Sequence, residues 1–277
     1  MDELIVLFER GFISILEILK TSQISEFRRF QLEKRITEIV GILQVLSDEA
    51  SDFIPKYFTK IYKKDIEVLN SWMEKYIPDY SPIAFGGIHL ETIRLISEET
   101  MQLVGTGLRF TAESSRRILR ESIKETMLKA NLEGITLQEA KKILNKKIEQ
   151  IGLNCLIDRG GKRWELPRYS EMVLRTQQKR IHREVVRNGA IDAGYDLVIV
   201  QSAPDCCEIC DRWNGKILSL RSEASDFADG TLEQAEWDGL FHPNCRCVIT
   251  PYNVEFQKVM EHYDDLLKDF EENENAA

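Results

Sequence analysis

The sequence predicts an α+β protein: a mainly helical N-terminal region, then a small α+β C-terminal domain with a short sheet and a Cys/His knuckle. Three observations lead there. Apolar residues recur at three- and four-residue steps through the first half of the chain, the spacing that lines one face of a helix. Five of the six cysteines fall between Gly194 and Tyr252, among three β-rich runs. A chain of 277 residues, 43% hydrophobic and 30% charged, can bury a sizeable core without disulfide staples.

The elements follow in order. Leu4, Phe8, Phe12, Ile15 and Leu19 form the first helical stripe, and Leu32, Ile36, Ile39, Leu43 and Leu46 the second. Phe58, Tyr62, Ile66, Leu69 and Met73 form the third, and no proline precedes Pro55. Such aromatic-rich stripes belong to packed amphipathic helices rather than ligand boxes. Residues 77–89 break the periodicity with two prolines and a Gly-Gly pair, which marks a loop and a candidate domain boundary. His89 has no acidic or thiol neighbour in sequence and is given no role. Helical texture returns from His89 to Val104, and again from Ala112 to Asn131 with Leu119, Ile123 and Met127 in register. Thr136-Leu-Gln-Glu139 reads as a capping box, opening a helix with Leu137, Ala140, Leu144, Ile148 and Ile151 on its apolar face. The segments around Arg159-Gly-Gly read as a short hairpin, with Cys155 a buried structural thiol. Pro167 suits the first turn of a helix from about 167 to 193. The tail from Glu271 is acidic and of low complexity, a composition that does not build a core.

Charge is unevenly spread around the net −9. Residues 1–108 carry 12 basic and 17 acidic side chains, whereas residues 109–192 carry 19 and 11. Residues 193–252 carry 4 and 10, and the tail 2 and 8. The basic middle is suited to nucleic acid or an acidic protein surface. The competing account is a set of solvated helix faces, since Glu113, Glu121 and Glu125 interleave with the positive charge. Within the predicted helix 167–193, Arg175, Lys179, Arg180, Arg183 and Arg187 are the candidate nucleic-acid or partner contacts. No apolar run reaches the ~20 residues of a membrane span, and the acidic N-terminus lacks signal-peptide character. A cytoplasmic setting is expected, where thiols stay reduced.

The cysteine pattern is the strongest chemical signal. Cys207-Glu-Ile-Cys210 lies between the β-runs Tyr195–Gln201 and Lys216–Leu220, and His242-Pro-Asn-Cys245-Arg-Cys247 precedes the run Val248–Tyr252. Two such turns supply four tetrahedral ligands, and thiolate with imidazole favours zinc. The expected set is Cys207, Cys210, His242 and Cys245, with Cys247 or Cys206 as a substitute ligand. The inserted segment 221–240 reads as a loop between two knuckles. Three thiolates and one histidine make a closed, structural site of charge near −1, offset by Arg246 and Arg212. Reduced buried thiols, or a disulfide formed after release from the cell, are the competing readings.

Catalytic constellations do not assemble. His182-Arg-Glu184 has no Pro-Cys-x-x-Cys after it, so a zinc deaminase is excluded. A cysteine nucleophile would need a histidine base, and His242 is claimed by the metal. No phosphate loop or dinucleotide fingerprint is present.

Tyr169-Ser-Glu-Met-Val-Leu-Arg175-Thr176, Gly194-Tyr-Asp-Leu-Val, Cys207-x-x-Cys210, Trp213-x-Gly215-Lys and Leu240-Phe-His-Pro-Asn-Cys-Arg246, in that order, resemble the tailed-phage minor capsid family, the Mu F-like head morphogenesis group. The likeness spans about 150 to 252. It implies a helical arm over 1–80, a helical middle region over 81–152, a Mu F-like α+β domain over 153–252 and an acidic tail over 253–277. It further implies a structural, non-enzymatic virion protein at the portal vertex, acting in head assembly, genome packaging or ejection. Its implied partners are the portal protein, the major capsid protein and packaged DNA. The implied location is the phage head near the portal, with the host cytoplasm during assembly. Relatives differ in how many of these cysteines they keep, so zinc rests on the ligand pattern alone. The rival reading is a zinc-supported nuclease or toxin-like effector carried in the head, which would need an open metal position.

Overall fold

The first apolar stripe folds as α1 (Asp2–Thr21), burying Leu4, Phe8, Phe12, Ile15 and Leu19 on one face. The computed structural model describes residues 1–21, 29–77, 80–133, 136, 138–139, 142–143, 156–157, 161–221, 226–243 and 245–252. Contacts divide the chain into two units, one built from Met1–Ile54 and Thr100–Val173, the other from Pro55–Glu99 and the chain from Leu174 onward. Three long helices contribute to both units: α2 (Arg29–Tyr76), α3 (Gly87–Glu133) and α4 (Leu166–Asp192).

Two pairs of helical segments expected from the sequence are each one helix. The second and third stripes are successive stretches of α2, with Pro55 inside it. Proline in a helix interior costs ~3 kcal/mol, through a lost amide and a clash with the preceding turn. Ile54, Phe58, Ile61 and Tyr62 flank it and are buried. At about 1.5–3 kcal/mol for each large side chain removed from water, their burial outweighs that cost. Likewise, the stretches expected at His89–Val104 and Ala112–Asn131 are both part of α3, which runs unbroken between them.

In the first unit, glycines set how closely the helices approach. A Cβ on Gly11 would stand 2.7 Å from Leu46, and one on Gly107 would stand 2.8 Å from the ring of Tyr169. That ring is buried, and its hydroxyl donates to the Leu103 carbonyl at 3.2 Å. Thr111 and Ser115, also buried on α3, turn their hydroxyls back onto Gly107 and Thr111 carbonyls. β1 (Leu156–Ile157) and β2 (Arg163–Trp164) pair antiparallel, as the expected hairpin does. The turn residues Arg159 and Gly160, Cys155, most of the helix after Thr136, and the tail lie outside the described residues. The capping box itself forms: the Glu139 amide bonds to the Thr136 hydroxyl at 3.3 Å and the Glu139 carboxylate accepts from the Thr136 amide at 2.9 Å.

In the second unit the loop after α2 is folded inward. The side chain of Asn70 accepts from the Ile83 amide at 2.9 Å and donates to the Ile83 carbonyl at 3.2 Å. His89 is buried, contrary to its featureless setting in sequence. Its Nδ1 lies 3.0 Å from the Tyr62 hydroxyl and its Nε2 3.1 Å from Asp192, while Asn188 donates to both Tyr62 and Thr92 at 2.9 Å. Its acidic partner stands 103 positions away, invisible to any local reading.

α4 ends in a Schellman motif. Gly194 takes φ +84°, its amide bonds to Ile191, and the Tyr195 amide reaches back to Ala190. The chain then enters β3 (Leu197–Gln201), the centre of a four-stranded sheet of order β5-β4-β3-β6. β4 (Ile217–Ser219) and β6 (Val248–Tyr252) flank β3 antiparallel, and β5 (Gly230–Thr231) pairs parallel with β4. Between β3 and β4 lies α5 (Glu208–Trp213), and after β5 comes α6 (Leu232–Trp237). The segment 221–240 is thus more than the expected loop. Thr231 and Gln234 form a capping box, and Leu232 and Ala235 bury α6 in the domain core. Among the described residues no helix is long and apolar enough to cross a membrane.

Gly107→Ala is expected to destabilise the protein by about 1–3 kcal/mol, because the pinned Tyr169 ring cannot yield to the added carbon. Gly105→Ala, whose new carbon meets nothing within 4 Å, is expected to be neutral or stabilising. Thermal unfolding of the two variants beside the wild type checks both.

Candidate metal centre

Two backbone devices bring the cysteine turns together. Cys207 is the N-cap of α5, so Cys207 and Cys210 sit on the same side of its first turn. α6 closes with a second Schellman motif, Gly239 at φ +97° and the Leu240 amide bonded to Ala235. Phe241 then adopts φ 63°, uncommon for a residue with a side chain. That reversal aims His242 back at α5.

The donor atoms are gathered tightly. His242 Nε2 lies 3.2 Å from Cys207 Sγ and 3.4 Å from Cys210 Sγ, and Cys210 Sγ lies 3.5 Å from Cys245 Sγ. Among the described residues, two overlapping trios emerge: Cys207, Cys210 and His242, and Cys210, Cys245 and Cys247. Cys210 belongs to both. Cys206 belongs to neither; it is half-buried against the core. The structure therefore divides the expected set Cys207, Cys210, His242 and Cys245 between the two trios, with Cys210 as the link and Cys247 beside Cys245.

Whether this group suits a metal is a question of lone pairs and spacing. His242 Nδ1 bonds to the Pro243 carbonyl at 2.9 Å. A carbonyl only accepts, so Nδ1 carries the proton and the Nε2 lone pair faces the two thiols. This is the arrangement that orients a metal-bound imidazole. Zn–S of ~2.3 Å and Zn–N of ~2.0–2.1 Å give tetrahedral edges of about 3.5–3.8 Å. The observed 3.2–3.5 Å separations fall within a few tenths of an ångström of those edges. The group can hold a metal ion.

Local electrostatics prepare some of the thiols. The Cys210 amide, bonded to Cys207 Sγ, lowers that thiol to about 7. Cys245 is also lowered, chiefly by its side-chain contact with Cys247, with the Cys247 amide adding a bond at 3.3 Å. Cys247 is raised in return by the same contact, and Cys210 is raised by burial. His242 is raised by its bond to the Pro243 carbonyl. Ser202, overlooked in the sequence, ties the cluster to the end of β3. Its hydroxyl donates to the Cys210 carbonyl at 2.8 Å and receives the Cys247 thiol at 3.3 Å. No sequence signal marks it, because Ser202 lies 45 positions from Cys247 in chain order.

The predicted basic residues separate into two sets. Arg180 pairs with Glu99, and Arg187 lies 4.0 Å from Glu184. Arg175, Lys179 and Arg183 instead line a cleft of about 190 Å³ with Phe241, His242, Cys245 and Arg246. The Arg183 guanidinium stands 4.2 Å from the centre of the Phe241 ring, and burial lowers its pKa to about 10. Arg246 is paired with Asp205. His182, set aside above, has its Nδ1 bonded to the buried Asp65.

The family model described as phage minor capsid protein 2 matches residues 23–277. No curated protein and no solved structure matches the chain.

Cys210→Ser removes the thiol common to both trios and is expected to abolish metal retention, whereas Cys206→Ser should keep it. Metal content per chain, measured by plasma mass spectrometry after gel filtration, distinguishes these outcomes.

Proposed function

The chain belongs to the phage minor capsid protein 2 family, and from that premise we propose that it is a structural protein of the phage head, held at the portal vertex. Membership in a capsid family supports a structural role and a place in the virion. On this reading it contacts the portal protein and the major capsid protein, acts in head assembly and in genome packaging or ejection, and passes through the host cytoplasm before incorporation. The helical arm over 1–80 docks on the portal or the neighbouring capsid wall, and the domain over 153–252 is pinned by its Cys/His centre.

The observation that supports this best is the Cys/His cluster. Its two trios, which share Cys210, draw α5 and the loop before β6 together, and Ser202 ties them to the end of β3. With zinc bound by Cys207, Cys210, His242 and Cys245, all four tetrahedral positions are filled. Zinc there would supply cross-linking strength rather than Lewis acidity toward a substrate. Cys247 then acts from beside the ion, donating its amide to the Cys245 sulfur.

Purified particles are expected to contain the protein at low copy relative to the major capsid protein, and to release it together with the portal on controlled disassembly. Quantitative mass spectrometry of the particles and of the released portal fraction checks this. Absence from mature particles would overturn the assignment.

A further inference from the structure

The basic cleft beside the Cys/His centre has a composition unlike the rest of this acidic chain. Arg175, Lys179 and Arg183 stand four residues apart along α4, which keeps them on one face of the helix. The 241–247 loop brings Arg246 and His242 to the opposite wall. Among the described residues that line the cleft there is no carboxylate. Of the acids around it, Asp205 pairs with Arg246, Glu184 and Glu236 act on Arg183, and Glu99 pairs with Arg180. Arg175, Lys179 and Arg183 thus line a cleft of about 190 Å³ with Arg246, which is itself paired to Asp205, in a chain whose net charge is −9.

We propose that this cleft binds a phosphodiester of the DNA backbone. Guanidinium forks match phosphate oxygens in a bidentate geometry, and the Lys179 ammonium adds a compact charge. The Arg183 fork is held over the Phe241 ring, so one donor is ordered before any anion arrives. Thr176, also on the cleft wall, adds a hydroxyl of the kind that bonds phosphate. The acidic remainder of the chain repels DNA, so attraction has to be local. Because the cleft walls are α4 and the 241–247 loop, the Cys/His centre sets the spacing between the two halves of the site. The proposal rests on the reading that this is a virion protein, within reach of packaged DNA.

The test is fluorescence anisotropy of a labelled short DNA duplex with the full-length, metal-replete chain across ~50–200 mM salt. Arg175→Gln combined with Lys179→Gln is expected to lower the magnitude of the log–log salt slope by about 2, one unit per lost phosphate contact. Affinity at moderate salt should fall at least tenfold. Arg180→Gln combined with Arg187→Gln, outside the cleft, should leave the slope unchanged. Circular dichroism melts and metal content of each variant establish that it is folded. The proposal is overturned if the wild type does not bind the duplex, if the two double variants behave alike, or if polyglutamate displaces the duplex at equal charge concentration. That last result would assign the cleft to an acidic protein. If particles contain the chain but no cleft-dependent DNA binding is found, this inference falls and the capsid reading stands. Cleft-dependent binding by a chain absent from particles would sink the capsid reading instead.

Discussion

The second unit depends on Cys210. It is almost fully buried, and its Sγ touches His242 and Cys245 at 3.4 and 3.5 Å while its carbonyl receives the Ser202 hydroxyl. Through those contacts one residue joins α5, the end of β3 and the loop before β6. The sheet alone is small, with β5 two residues long and β4 three. Strands this short gain little from each other without a packed face. The core of Val198, Val200, Leu218 and Ile249 supplies that face, and the sulfur cluster continues it without a gap, since Cys210, Cys245 and Cys247 belong to the same apolar core. An ion bound there would replace thiol contacts that are individually weak with bonds that fix the loop outright.

The same loop borders both the cluster and the basic cleft. Phe241, in its uncommon backbone conformation, turns His242 toward the thiols and offers its ring to Arg183. The cluster and the basic cleft are therefore two faces of one device. α4 contributes differently along its length. Arg180 pairs with Glu99 and Arg187 lies near Glu184, and Arg175, Lys179 and Arg183 line the cleft. Exposed pairs of the first kind contribute little to stability; their effect is to remove those cations from the positive field. The basic stripe seen in the sequence is real, but only part of it points at one place.

Much of the architecture was legible because periodicity is a local property. Leu4 through Leu19, Phe58 through Met73, the strand runs near 197 and 248, and the Thr136 capping box each declare themselves within one or two turns of chain. Element boundaries were harder where a residue has two meanings. Pro55 and the gap between Val104 and Ala112 separate expected helical stretches, yet the burial of neighbours such as Phe58, Val104 and Leu108 carries both helices through. Thr231-Leu-Glu-Gln234 is a capping signal that was present in the segment 221–240 and passed as loop. For the site, spacing alone brought forward Cys207, Cys210, His242 and Cys245.

By itself the sequence determined the mainly helical class, the presence of a Cys/His cluster and the kinship with phage minor capsid proteins, since all three are written in residue type and short-range order. Only the tertiary structure decided that His89 meets Asp192 and that the Cys247 thiol reaches Ser202, which closes the cluster. It also selected which arginines face His242 and Arg246. The physical reason is common to these cases. They are interactions between groups far apart in the chain, at separations of 3–4 Å, and no local pattern encodes which partners the folded backbone brings within that range.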